Sequence, residues 1–258
     1  MNLKQSSIAL YTLIRREMKR LTRIWIQALL GPITNIFLYF LIFGNIIGQR
    51  IGSIHNVPYL EFIAPGLIII SVINTSYAHV TSSIFVVRFQ RNIEEMIVTP
   101  MSNLTILMGF IFSGMIRGLL VAGVITSIIM LFFKVPLHLN IYTFMDIFAT
   151  SALFALLGFL NGLVAKDFDE LAFVPSFILT PLGYLGGVFY DINMLSQPWL
   201  NISKFNPLWY IIQSFRAHTL DQFDALATQT SCILISMISI LLIVNLLLMK
   251  RSLLLKPS

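Results

Sequence analysis

Charged side chains are scarce in this chain. Only 11% of its 258 residues are Asp, Glu, Lys or Arg, whereas a soluble domain keeps about a quarter charged to cover its surface. Cysteine is almost absent: Cys232 stands alone, which excludes a disulfide framework and a cysteine metal site. No Gly-x-x-x-x-Gly-Lys-Ser/Thr stretch exists to cradle phosphates, so the chain is not expected to hydrolyse ATP by itself. His55, His79, His138 and His218 are scattered, with no His-Glu-x-x-His pair and no carboxylates at metal-ligand spacing. Neither a catalytic cluster nor a bound cofactor or metal is therefore expected, and the chain does not read as an enzyme.

What is abundant is apolar sequence. Hydrophobic residues make up 57% of the chain, and the mean hydropathy is +0.86. Ile24–Gln49, Phe62–Val87, Leu171–Tyr190 and Ala225–Met249 contain no charged residue at all. A bilayer-spanning helix needs about 20 predominantly apolar residues. The sequence thus predicts an all-α polytopic membrane protein, read as one domain over residues 1–258. Six spans are expected, at about 26–47, 59–87, 104–133, 141–165, 171–190 and 225–249. The first run is too long for a signal-peptide core and no small-residue cleavage site follows, so it reads as a retained span.

Ahead of the first span, Ile8–Trp25 carries Leu10, Leu13, Ile14, Met18 and Leu21 on one helical face and Arg15, Arg16, Lys19, Arg20 and Arg23 on the other. Such a helix lies in the membrane interface, its basic face toward anionic headgroups. With the N-terminus inside, twelve of the seventeen basic residues fall on cytoplasmic segments and four, Arg50, Lys134, Lys204 and Arg216, on outer ones. That asymmetry predicts two cytoplasmic termini. It also explains the net charge of +6 without nucleic acid as a partner.

Three features stand out against this background. Asp191–Asp224 is too long for a turn and too apolar for a free loop; it holds Pro198-Trp199 and Asn206-Pro207-Leu208-Trp209-Tyr210, then Arg216. Its apolar pieces are too short to span but long enough to enter a leaflet and return; a small external cap resting on the membrane is the alternative. The fifth run contains Pro175, Pro181, Gly183, Gly186 and Gly187, which suit either an interrupted helix along a pathway or close packing. Arg117 alone lies well inside a span, where a charge must face protein or water; Glu61 and Asp146 are candidate partners. It reads as a structural arginine or as a pathway residue. Asn74-Thr75-Ser76, Asn103-Leu104-Thr105 and Asn201-Ile202-Ser203 match glycosylation sequons and are treated as incidental.

The basic N-terminal helix, the Arg91–Ser102 stretch (Arg-Asn-Ile-Glu-Glu-Met-Ile-Val-Thr-Pro-Met-Ser) and the Asn206-Pro207-Leu208-Trp209-Tyr210…Arg216 block resemble the membrane subunit of bacterial type-2 ABC exporters. The resemblance covers essentially the whole chain. It implies a six-span permease in the inner membrane that pairs with a second copy, the homodimer working with a separate cytoplasmic ABC ATPase. ATP and Mg would be bound by that partner. Arg91–Thr99 becomes the coupling helix that fits the ATPase, with Arg91, Glu94 and Glu95 as its charged residues and Pro100 at its stop. Gln197–Phe215 becomes a re-entrant hairpin carrying Pro198, Trp199, Asn206, Pro207, Trp209 and Tyr210, with Arg216 just beyond. The implied activity is export of drugs, lipids or polysaccharides by alternating access. An ion-coupled secondary transporter is the alternative; that class usually shows midplane charges, interrupted helices or an internal repeat, and no repeat is visible here.

Overall fold

The computed structural model describes residues 3–23, 25–90, 101–221 and 226–254. Helix α1 (Leu3–Arg23) is amphipathic as its sequence predicts. Leu13 is buried where Gly109 leaves room for it. The basic side is not uniformly solvent-facing, however. Arg20 turns inward and donates to Ser82 and Ser83, and Glu17, only 2% exposed, accepts from Ser83 and from Arg16. An acidic residue on a basic helix thus becomes an anchor once a hydroxyl and two guanidinium groups surround it.

Helix α2 (Trp25–Tyr39) follows, and the axes of residues 5–23 and 28–44 differ by 59°. It continues as a π-helical stretch, Phe40–Ile47, and a short α3 (Gly48–Ile51). A two-stranded hairpin, Ser53–Ile54 paired antiparallel with Val57–Pro58, then reverses the chain. Its turn residues, His55 and Asn56, have φ of 50° and 63°, the left-handed geometry that tight two-residue hairpins require.

Helix α4 (Tyr59–Phe89) is the hub, and α5 (Asn103–Phe132) and α6 (Ile141–Val164) pack on it. Both packing partners start at side-chain caps: Ser102 accepts from Thr105 N, and Asn140 forms a capping box with Thr143. Close approach depends on small residues. A Cβ on Gly158 would sit 2.5 Å from Tyr77 O, and one on Gly162 would sit 2.6 Å from Thr81 O. Such contacts let helix backbones meet where lipid gives no hydrophobic drive to association.

The next helical rod departs from the expected bounds of 171–190 and takes the interrupted form, one of the two readings that its prolines and glycines allowed. It begins earlier and is interrupted: α7 (Phe168–Val174), a π-helical Pro175–Leu179, and α8 (Thr180–Leu185). Pro175 and Pro181 have no N–H to give, so the ladder shifts register and Thr180 N–H bonds Pro175 O. Gly186 and Gly187, the latter at φ 73°, end the rod. A 3₁₀ turn (Ile192–Met194) leads to α9 (Trp199–Phe205) and α10 (Pro207–Thr219), which meet at Asn206. Helix α11 (Leu226–Leu254) closes the fold.

Among the described residues, four helices are long and apolar enough to cross a membrane: Tyr59–Phe89, Asn103–Phe132, Ile141–Val164 and Gln229–Lys250. The bent pair at residues 5–44 makes a fifth when counted as one span. The architecture is an all-α membrane protein.

Candidate functional site

Between α2, α4 and the interrupted rod lies a cleft of about 330 Å³. Its lining comes from sequence that looks unremarkable in a span: Asn35 on α2, Ser71, Asn74 and Thr75 on α4, and Thr180 on α8. Ser71 Oγ donates to Leu67 O at 2.8 Å and Thr75 Oγ donates to Ser71 O at 2.6 Å. Both hydroxyls are thereby satisfied within their helix while their lone pairs stay available. The amides of Asn35 and Asn74 have no hydrogen-bond partner among the described residues. Tyr39, Tyr184 and Phe189 supply aromatic surface, with Tyr39 and Phe189 ring centroids 5.3 Å apart. Among the described residues, no charged side chain lines the cleft. It can therefore accommodate an apolar body and hydrogen-bond an uncharged polar group.

The element at 197–216 does not line the cleft but bonds the backbone of its wall segment, at Leu182, Gly187 and Val188. Pro198 and Trp199 open α9 on the exposed side, and Pro207 occupies the first turn of α10. Asn206 is buried; its Oδ1 caps α10 by accepting from Leu208 N at 3.0 Å, and its Nδ2 donates to Leu182 O at 2.6 Å. Trp209 and Tyr210 pack ring edge to face, centroids 4.6 Å apart, and Tyr210 O accepts from Thr230. Arg216 is buried and placed over the Phe62 ring, 3.9 Å from its centroid. The structure thus brings Arg216 and Trp209 to Gly187, and Asn206 to Leu182 five residues before it. Nearby, His55 Nε2 and an Asp191 oxygen are 2.6 Å apart. Burial pushes the Asp191 carboxyl up, but the Asn193 N–H and the His55 ring outweigh it and hold the group below its ordinary 3.8.

Arg117 is elsewhere, on α5. Its Nη1 donates to His79 Nδ1 at 3.1 Å. Neither expected carboxylate reaches it. Glu61 lies eighteen residues before His79 on α4, about 27 Å along the axis. Asp146 is engaged by His218 Nδ1 at 2.7 Å and by Ser214 at 3.2 Å. The expected coupling residues Arg91, Glu94, Glu95 and Pro100 lie outside the described residues.

The profile of the family described as "ABC-2 type transporter" matches residues 8–220, from α1 through the end of α10. The chain belongs to the ABC-2 type transporter family. Among its relatives, "Inner membrane transport permease YadH" of Escherichia coli (strain K12) is 45% identical over 209 residues, 81% of this chain and 82% of that protein. "Nodulation protein J" of Neorhizobium galegae is 25% identical over 190 residues (73% and 72% of the two chains). Its Rhizobium leguminosarum bv. viciae counterpart is 25% identical over 199 residues (76% of each). The protein is thus a transport subunit of the ABC-2 class.

Several features of this ABC-2 subunit escape sequence reasoning. Asn35, Ser71, Asn74, Thr75 and Thr180 carry no motif, and Asn74-Thr75 read only as an incidental sequon. The one available signal was their recurrence on α4: Ser71, Asn74 and Thr75 share a helical face by their three- and four-residue spacing.

Proposed function

We propose that this ABC-2 subunit is the permease of an ATP-driven exporter: two copies form the translocation path and a separate cytoplasmic ABC ATPase supplies the energy. The observation that carries this reading is the uncharged, hydrogen-bonding cleft set against an interrupted helix in a member of the family. In the proposed cycle, ATP-driven closure of the ATPases pushes the segments around Arg91, Glu94, Glu95 and Pro100. The α4–α5–α6 block moves with them, and the cleft opens alternately to the two sides. The permease crosses the membrane six times with both termini in the cytoplasm, and 197–216 forms a re-entrant element. It resides in a bacterial inner membrane, as the name of the 45% identical relative supports. No cofactor belongs to this chain; ATP and Mg are bound by the partner. The cleft lining suits amphiphiles with an uncharged polar group, the chemistry of many drugs, lipids and lipid-linked glycans.

Purification in mild detergent, with identification of the co-purifying subunit, tests the proposal. An ATPase bearing the phosphate-binding loop is the expected companion, and export from vesicles is expected to require ATP. Export driven by a proton or sodium gradient, with no such ATPase in the preparation, overturns it in favour of an ion-coupled transporter.

A further inference from the structure

The end of the interrupted rod leaves carbonyl groups without helical partners. Gly186 N–H bonds Gly183 O at 3.2 Å, so Leu182 O is released, and Gly187 and Val188 lie past the last turn. Carbonyls buried in this position need donors from elsewhere. They receive them from three side chains, two at the ends of α10 and one on α4. Asn206 Nδ2 donates to Leu182 O at 2.6 Å, and Arg216 Nη2 donates to Gly187 O at 2.8 Å and Val188 O at 3.5 Å. Tyr59 Oη donates to Phe189 O at 2.9 Å.

Arg216 is itself fixed in place. Its Nε donates to Phe62 O at 3.0 Å and its Nη1 to Gln213 Oε1 at 2.9 Å. No carboxylate lies within ion-pair distance of it among the described residues. Its planar fork is used on peptide carbonyls of two different segments, a task the single point of a lysine ammonium cannot reproduce.

The segment held in this way is the cleft wall. Gly183, Val188 and Phe189 line the cleft, whereas Asn206 and Arg216 do not. Val188 also touches α4 directly, since a Cβ on Gly66 would lie 3.1 Å from Val188 Cα. We propose that Asn206 and Arg216 are positioning residues that fix the 182–189 wall of the cleft, and so set what the cleft admits, without contacting the transported molecule. This role rests on the reading of the cleft as the translocation path. The mechanical part does not: a wall tied to α10 by side-chain hydrogen bonds moves when α10 moves.

Asn206→Ser separates clamping from folding, because serine also caps a helix but is too short to reach Leu182 O. In a Cys232→Ala background, Val188→Cys reports on the wall and Ser53→Cys, exposed on the hairpin, serves as the control. The full chain in proteoliposomes is labelled with fluorescein-5-maleimide, and melting is followed in parallel. Asn206→Ser is expected to label Val188→Cys roughly fivefold faster, the shift that losing one ordinary hydrogen bond produces, with Ser53→Cys labelling and melting unchanged. Tyr59→Phe, which removes only the Phe189 donor, is expected to act in the same direction. Unchanged Val188→Cys labelling in both variants overturns the proposal. A rise at both cysteines together with early melting also overturns it, by showing a role in stability alone. The labelling needs no ATPase and no transported compound, so its outcome is read independently of whether the chain exports anything.

Discussion

Arg117 and His79, on neighbouring helices and 38 residues apart in sequence, are joined by a single hydrogen bond of 3.1 Å. Because His79 Nδ1 accepts from a guanidinium, the ring's proton belongs on Nε2, a buried atom with no partner among the described residues. The pair therefore holds a charge within the helix bundle through a neutral acceptor rather than a carboxylate. Arg117→Leu is expected to cost about 1–3 kcal/mol, the penalty of leaving the ring nitrogen unpaired, while Arg50→Leu, at an exposed position, is near neutral. Replacing both partners removes that penalty, so Arg117→Leu with His79→Leu should recover part of the loss. Melting of the four proteins in detergent measures it; additive losses would refute the coupling.

Gly158 on α6 and Gly123 on α5 separate packing from helix propensity. Gly158→Ala would drive a methyl into Tyr77 O and Thr81 Oγ of α4 and is expected to cost about 1–3 kcal/mol by overpacking. Gly123→Ala on α5 meets nothing within 4 Å and should be neutral or stabilising by up to about 1 kcal/mol. Thermal unfolding of the two variants gives opposite signs if the close approach of α4 and α6 is as described.

Asp191 gives a pH signature. Its carboxyl is held below 3.8 in the fold, so its ionised form stabilises the native state. That contribution is complete above 3.8, the unfolded value, and is lost as pH falls through the lower folded value. The melting difference between wild type and Asp191→Asn should shrink as pH falls below about 4. A difference that grows over that range would contradict the assignment.

For the segment preceding α5, Glu94→Lys with Glu95→Lys is expected to lower permease-stimulated ATP hydrolysis while leaving membrane insertion intact. Stimulation equal to wild type, with an equal yield of complex, would remove these two residues from the coupling role.

Topology is checked by reporter fusions after Val57, Asn103, Asn140, Lys166 and Ser258, which should read out, in, out, in and in. An external reporter at Ser258 is incompatible with six spans.

Much of the fold was legible because bilayer physics writes it in composition. Charge-free runs marked α4 and α11, and the spacing of Leu10, Leu13, Ile14 and Met18 marked the apolar face of α1. Pro175, Pro181 and the three glycines signalled the interrupted rod, though not that it would start at Phe168 and end at Leu185. What was illegible depends on register between distant helices. A search for carboxylates near Arg117 passed over His79 because a neutral imidazole gives no charge signal. Asn206 and Arg216 stood out as a motif, but their targets are main-chain carbonyls, which every residue has and no sequence marks. The cleft residues escaped for the same reason: a serine or asparagine in a span is as often bonded to its own helix as offered to a ligand.

Helix α11 has a consequence of its own. Only 17% of its most apolar stretch is buried by protein, against 72% for α4, and a hydrogen bond from Asn245 Nδ2 to Leu156 O at 3.1 Å tethers it to α6. With the least protein burial of the four candidate spans, α11 is the one freest to change tilt when the hydrocarbon thickness around it changes. A thinner or thicker bilayer is felt first at α11, and through Asn245 at the helix that packs against the hub.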